Sequence, residues 1–492
     1  MTKRRITRAL SRSRRTHLIA LGALTLSLGS VVLLRAPTNA DFAGDSNPAE
    51  EWPDGFRSGV PDEAAGVAPT TFRSAGLSGS VELSQRAVPA GREGALFAEV
   101  NLVADDAAPG STSPVAVSLV LDTSGSMRGE KIEQARMAVR EIVAQLGDDD
   151  LFSLVTYESE AQIRLSLTPV RQLRRSIHSH VNAITAGGGT IIPPALELGA
   201  TSVRVAPAGY VRRVVLVSDG QDGSGHSAIQ VRNELQRHAQ QGVAFSAMGL
   251  GVDYNEGFLT NVADAGSGNY AFVAGPSDLP PFLARELQSV RSTAFDNVVA
   301  ELTLPQSWRV HRTFGVTHTT RGGVVSIPVG QIAAGQTRKV IVELRGQTGE
   351  VGAEQTFDAR LRFRSMADSE VHSVPVEAMS VLTVASEGEA FAARVQGVYT
   401  RANAVAIDED QREAVEAWRG GDAARAQQLT QGNRVRLETL RASAPRDLAP
   451  ELQRQEAAFA LDEVNFRSHS AGSAQGRAHG LSSNSSRRRR SQ

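Results

Sequence analysis

Residues Val115 to Met127 read V-A-V-S-L-V-L-D-T-S-G-S-M, and the fold is decided by how this stretch is read. Val115 to Leu121 is a nearly continuous apolar run. Such a run suits a strand buried on both faces, as in a parallel sheet covered by helices. It stops at Asp122, and oxygen-bearing side chains then stand at alternate positions: Asp122, Ser124 and Ser126. Gly125 between them lets the backbone turn tightly, and a helix is expected from about Gly129. Ligands of open α/β sheets bind beyond the carboxyl ends of strands, which is where this triplet falls. One carboxylate and two hydroxyls suit a hard, oxygen-seeking cation such as Mg²⁺.

Two later features add weight to a short motif. Gly187-Gly188-Gly189-Thr190 is a glycine-rich loop ending in a hydroxyl. Val214-Val215-Leu216-Val217-Ser218-Asp219-Gly220 is a second buried-strand pattern ending in a carboxylate. Together they resemble the metal-ion-dependent adhesion site of the von Willebrand factor type A (vWA) family. The resemblance covers roughly Val115 to Thr293, and every motif position is occupied: Asp122, Ser124, Ser126, Thr190 and Asp219. It implies an α/β domain with a doubly wound, mainly parallel sheet. It also implies a bound Mg²⁺, with Mn²⁺ or Ca²⁺ as substitutes. Ser124, Ser126 and Thr190 would ligate directly through hydroxyls. Asp122 and Asp219 would act mainly through water, with Asp222 a further candidate. Neutral direct ligands leave a dication under-neutralised, so a partner protein's Asp or Glu carboxylate can complete its coordination. In related adhesion domains the last helix shifts when ligation changes; here that helix runs almost directly into a strand at Phe295. The wider arrangement resembles bacterial vWA proteins labelled calcium-activated chloride channel homologues. Nothing after Leu34 is apolar enough to line a membrane pore.

With 492 residues, 41% of them apolar, the chain has room for two or three domains and a sizeable core. There is no cysteine, which removes disulfides, thiolate metal sites and cysteine nucleophiles. Residues 1–40 carry Lys3, Arg4, Arg5, Arg8, Arg12, Arg14, Arg15 and Arg35 and no acid. The whole chain has a formal charge of −1, so the remainder carries −9, and nucleic acid is not an expected partner. Only Lys3, Lys131 and Lys339 are lysines; the other basic residues are arginine.

Residues 1–40 have the layout of a secretory signal: a basic start, the apolar run Leu18 to Leu34, and Thr38-Asn39-Ala40 for cleavage. Left uncleaved, this segment would be the chain's one membrane contact. Export to the periplasm, cell surface or medium follows from either form. Residues 41–78, rich in Gly, Pro, Ala, Asp and Ser, read as a flexible linker. Residues 79–110 hold alternating strands, expected to join a later sheet. Residues 111–293 are the vWA-like domain. Its helix patterns include Glu130 to Leu146, a single helix through Leu173, Ile177, Val181 and Ile184, one opening at Pro193-Pro194, Asn255 to Ala265, and Asp278 to Thr293. Residues 294–385 alternate apolar and polar side chains between Gly and Pro, as in a β-sandwich. The α/β domain is then an insertion between two parts of that sandwich. Residues 386–466 turn helical, broken at Gly420-Gly421, with Asp422 as an N-cap. Residues 467–492 end in Arg487–Arg490 and read as a disordered basic tail.

No catalytic residue is assigned. H-E-x-x-H, G-x-S-x-G and G-x-x-x-x-G-K-[ST] are absent. His178 and His180 lie on a helix pattern, and His226 is a loop residue near Asp219. The leading function is metal-dependent protein–protein interaction or adhesion. The alternatives are an envelope scaffold with a structural metal and, behind it, a metal-dependent hydrolase.

Overall fold

The computed structural model describes residues 70–106 and 113–491. The expected signal segment, most of the expected linker, Trp52 and Phe56 lie outside these residues.

The Val115–Asp122 strand is buried along its whole length. Its alternate residues feed two cores. Val115, Val117, Leu119 and Leu121 face one, with Ile132, Val139 and Val143 of the Glu130–Gln145 helix and Leu283 and Leu287 of the Leu279–Arg291 helix. Ala116 and Val120 face the other, with Leu196, Leu235 and Leu259 from helices on the opposite side. An apolar run without alternation is what a strand between two helical layers requires. Across the sheet the strands are ordered Ser267–Val273, Val243–Leu250, Val211–Ser218, Val115–Asp122, Leu151–Tyr157 and Ala161–Pro169. All neighbours are parallel except the last, antiparallel pair. The chain leaves the central strand to one side for Leu151–Tyr157 and later returns on the other side as Val211–Ser218. The order therefore reverses beside Asp122, the kind of switch point that opens a crevice.

The expected single helix over residues 173–184 is two short ones, Val170–Leu173 and Ile177–Asn182. Leu173, Ile177 and Val181 still reach the core, so apolar spacing survived while helical continuity did not. The Ala228–Gln240 helix had no counterpart in the sequence reading. Its signal was present: Ser227 and Gln230 form a capping box.

A β-sandwich packs beside this domain. One sheet runs Thr70–Ser74, Leu77–Leu83, Glu93–Ala104, Thr337–Gln347, Trp308–Thr313; the other runs Thr319–Arg321, Val324–Ala333, Thr293–Thr303, Glu354–Ser365, Val371–Val384, Ala87–Pro89. Glu93–Ala104 pairs antiparallel with Thr337–Gln347 from Glu93↔Gln347 to Val103↔Thr337. Strands before and after the α/β domain thus share one sheet. The linker reading fails over residues 70–78, because Phe72 and Leu77 are buried in the sandwich core. Isolated apolar residues among Gly and Ser show no period, and only their cross-strand partners reveal their role.

Helices from Glu387 onward include Gln396–Arg419, Ala423–Ala442 and Ala449–Ser468. Asp422 caps the second of these, accepting from Arg425 N–H at 3.0 Å. The reading of residues 467–492 as a disordered tail is overturned. Ala474–Ser491 is helical, and Arg487 is only 1% exposed, ion-paired to the buried Asp462. Leu481 enters the α/β core, and Arg488 pairs with Asp264. The arginine run looks solvated until its carboxylates are supplied by helices far away in sequence. Among the described residues, no helix is long and apolar enough to cross a membrane.

Candidate functional site

The site begins with the end of the central strand. Asp122 is fully buried, in register with Tyr157 of the next strand. The chain then makes a single short turn over Gly125–Met127, closed by Met127 N–H donating to Ser124 C=O at 3.1 Å. Met127 is fully buried and pins the turn to the core. The turn holds Ser124 and Ser126 with their hydroxyl oxygens 3.0 Å apart.

The strand on the other side ends in Ser218-Asp219. Asp219 is 1% exposed and is reached by two donors: Ser126 Oγ at 2.6 Å to Oδ1, and Lys131 Nζ at 2.5 Å to Oδ2. The glycine loop is the third wall. Gly125 N–H donates to Gly188 C=O at 3.1 Å, and Gly187 N–H donates to Thr123 C=O at 2.8 Å. Gly188 has φ +74°, and a Cβ there would lie 1.6 Å from Glu158 Oε2, so only glycine fits. Thr190 follows. Its carbonyl accepts from Gly223 N–H at 2.8 Å, and its hydroxyl lies against Gly220, 3.1 Å from where a Cβ would stand.

The five predicted residues therefore meet at one rim of the sheet. Ser124, Ser126 and Asp219 are joined directly, Asp122 is joined through Ser124, and Thr190 borders the Asp219-Gly220 turn. Asp222 plays a different part. It accepts from Ile192 N–H at 2.9 Å and from Ser224 Oγ, tying the Thr190 loop to the loop after Asp219. His226 and His178 are exposed, and His180 is half-buried on its short helix. Among the described residues one group of three His, Asp and Glu side chains lies close enough together to hold a metal ion, Asp368, Glu370 and His372, at the hairpin between Glu354–Ser365 and Val371–Val384.

Sequence reasoning missed three contributors. Tyr157 OH and Ser218 Oγ donate to Asp122 Oδ2 at 3.2 and 3.0 Å, and Ser124 N–H donates to Oδ1 at 2.8 Å. Burial raises the Asp122 pKa above its ordinary value, Ser124's hydrogen bonds oppose this, and the nearby Asp219 raises it further. Burial, with Asp122 adding to it, pushes the Tyr157 phenol well up, so it stays a donor. The third is Lys131. All three depend on strand register or on one helical turn, which the linear motif does not encode.

The donor set tests the cation reading. It comprises two carboxylates and three hydroxyls, with no nitrogen or sulfur, converging from three loops. Asp122, buried beside the Asp219 carboxylate and raised in pKa, is in an environment that a dication relieves. Oxygen-only donors fit Mg²⁺, Mn²⁺ or Ca²⁺ better than zinc or copper.

Comparisons with known proteins agree with the architecture. Residues 117–283 match the family model of the von Willebrand factor type A domain. The chain is 25% identical over 240 residues to YfbK of Escherichia coli, covering 46% of this chain and 40% of that protein. It thus spans less than half the length of that relative. Among solved structures, a von Willebrand factor type A protein from Catenulispora acidiphila superposes with TM-score 0.62 at 18% identity, covering 79% of this chain and 91% of that one. The ArnB paralog VWA2 from Sulfolobus acidocaldarius gives 0.61 at 15% identity, covering 85% and 100%. Both likenesses extend well beyond residues 117–283 and concern the fold.

Proposed function

Because the chain carries a von Willebrand factor type A domain, we propose that it is an exported bacterial protein that captures a partner protein through a divalent cation. The cation, Mg²⁺ in this reading, is held by Ser124, Ser126 and Thr190, with Asp122 and Asp219 behind them. It supplies Lewis acidity toward an incoming Asp or Glu carboxylate of the partner. The chain's own residues do the positioning. Tyr157 and Ser218 fix the Asp122 carboxylate, Met127 anchors the serine turn, and Asp222 locks the loop that presents Thr190.

The observation that carries this reading is the convergence of the three loops, with Ser124 and Ser126 oxygens 3.0 Å apart and Ser126 2.6 Å from Asp219. A charge-assisted contact contributes about 1.5–3 kcal/mol, against roughly 8 kcal/mol for micromolar binding. The rim around the site must supply the difference and thereby select the partner. Export rests on the basic, apolar and small-residue layout of residues 1–40. The test is capture of a partner from the native cell envelope in Mg²⁺. We expect release by chelator and no capture by Thr190→Ala. Capture that persists in chelator sinks the proposal.

A further inference from the structure

Resting on the cation reading above, we propose that Lys131 is a resident counter-ion of the site, which an incoming dication must displace from Asp219. Its ammonium lies 2.5 Å from Asp219 Oδ2, and Asp219 is fully buried as a side chain while Lys131 is 28% exposed. The lysine therefore reaches in from the rim and has solvent to return to.

Three observations favour a displaceable role over a merely structural one. The first is position. Lys131 is in the first turn of the Glu130–Gln145 helix, alongside Glu130 and Glu133. A cation there opposes the helix dipole, so helix stability does not account for it. The second is residue choice. Arginine fills all but three of the chain's 52 basic positions, yet the one that enters this site is lysine. Lysine is a compact charge on a flexible stem; arginine's planar fork makes fixed, paired contacts and withdraws less readily. The third is charge balance. Asp122 takes its three hydrogen bonds from neutral donors, so Lys131 is the cation in direct contact with the carboxylate pair. The pair with Lys131 carries a formal −1, so an incoming dication meets a half-neutralised pair and must separate an ion pair to bind. Lys131 thus weakens cation binding by competing for Asp219 and by like-charge repulsion, and once displaced to the rim its ammonium is a positive charge that suits an acidic partner.

The test is a calorimetric titration of the full chain with Mn²⁺ alone. Lys131→Met keeps the apolar stem and removes the charge; Lys131→Gln keeps a donor for Asp219. Both are expected to bind Mn²⁺ at least about tenfold more tightly than the unaltered protein. Without metal both should melt at a lower temperature, and Mn²⁺ should raise that temperature more than in the unaltered protein. Unchanged or weaker Mn²⁺ affinity in either folded variant overturns the inference while leaving the cation site intact. Absence of Mn²⁺ binding in the unaltered protein, or binding indifferent to Thr190→Ala, removes the site itself and this inference with it.

Discussion

Thr190 offers the cleanest probe of the cation. Its hydroxyl faces the Asp219-Gly220 turn, while its backbone is held separately by Gly223. Thr190→Ala removes the oxygen and keeps the loop. A ligand present at a hundred times its dissociation constant stabilises by about 2.7 kcal/mol. Scanning calorimetry of the unaltered protein should show such a gain in saturating Mg²⁺. Thr190→Ala should lose most of it, with the metal-free melting temperature nearly unchanged. A full Mg²⁺ shift in the variant would remove Thr190 from the ligand set. Glu286 carries a different expectation. It ion-pairs with Arg213 at 3.1 Å, accepts from Asn269 at 3.0 Å and from Ser246, and both charges are buried. Glu286→Ala leaves the Arg213 guanidinium without its carboxylate. Urea unfolding should report a loss on the order of 3–5 kcal/mol. A loss under 1 kcal/mol would mean that Gln331, which accepts from Arg213 at 2.7 Å, suffices.

Among the helices, Ala474–Ser491 makes the strongest claim on the rest of the structure. Asp462, in the preceding helix, meets Arg487, His479, Ser483 and Gln411. Burial raises the Asp462 pKa, but the Arg487 ion pair and these hydrogen bonds outweigh it, so the carboxyl lies below the ordinary 3.8. A depressed carboxylate contributes stability above the unfolded value, lost as pH falls through the folded one. The helix should therefore loosen below about pH 4. Trp418 reports this, since it packs on Phe466 at 5.1 Å and His479 at 6.5 Å. Its emission should shift to the red on acidification, and already at neutral pH in a chain ending at Ser473. Unshifted emission in that truncated chain would make the helix dispensable. The same helix shows where the sequence stopped being readable. Strand runs and helical stripes are local, so Val115–Asp122, Val243–Leu250 and Glu130–Gln145 could be read directly. The convergence of the five candidate residues could be anticipated too, because each stands at or just past a strand end or in a glycine loop. Arg487, Tyr157 and Lys131 could not, because their partners lie 25, 35 and 88 residues away.

Taken together, the α/β domain is a long excursion from the sandwich. It is entered at Ser113 and left at Arg291–Thr293, and these ends touch. Ser113 N–H donates to Arg291 C=O at 3.1 Å, and Ser113 Oγ to Thr293 C=O at 2.9 Å. Only Ser292 separates the last helix of the domain from the first following strand. Movement of that helix on cation and partner binding would have no slack to absorb it. Solution scattering should therefore differ between chelated protein and protein with Mg²⁺ and an acidic partner, a shift between two populations. Superimposable profiles would count against this coupling. Burial of the junction is polar as well as apolar, since Arg213 of the α/β sheet reaches Gln331 of the sandwich.

The paired crossing at Ser113 and Arg291–Thr293 also has a mechanical meaning. The serine and threonine rim stands at the carboxyl end of the central strand, and both covalent ties leave from the opposite end. Tension applied by a captured partner would run lengthwise along Val115–Asp122 to the joined ends at Ser113 and Arg291–Thr293. Neighbouring parallel strands would then be loaded in shear, with many hydrogen bonds resisting together instead of parting one after another.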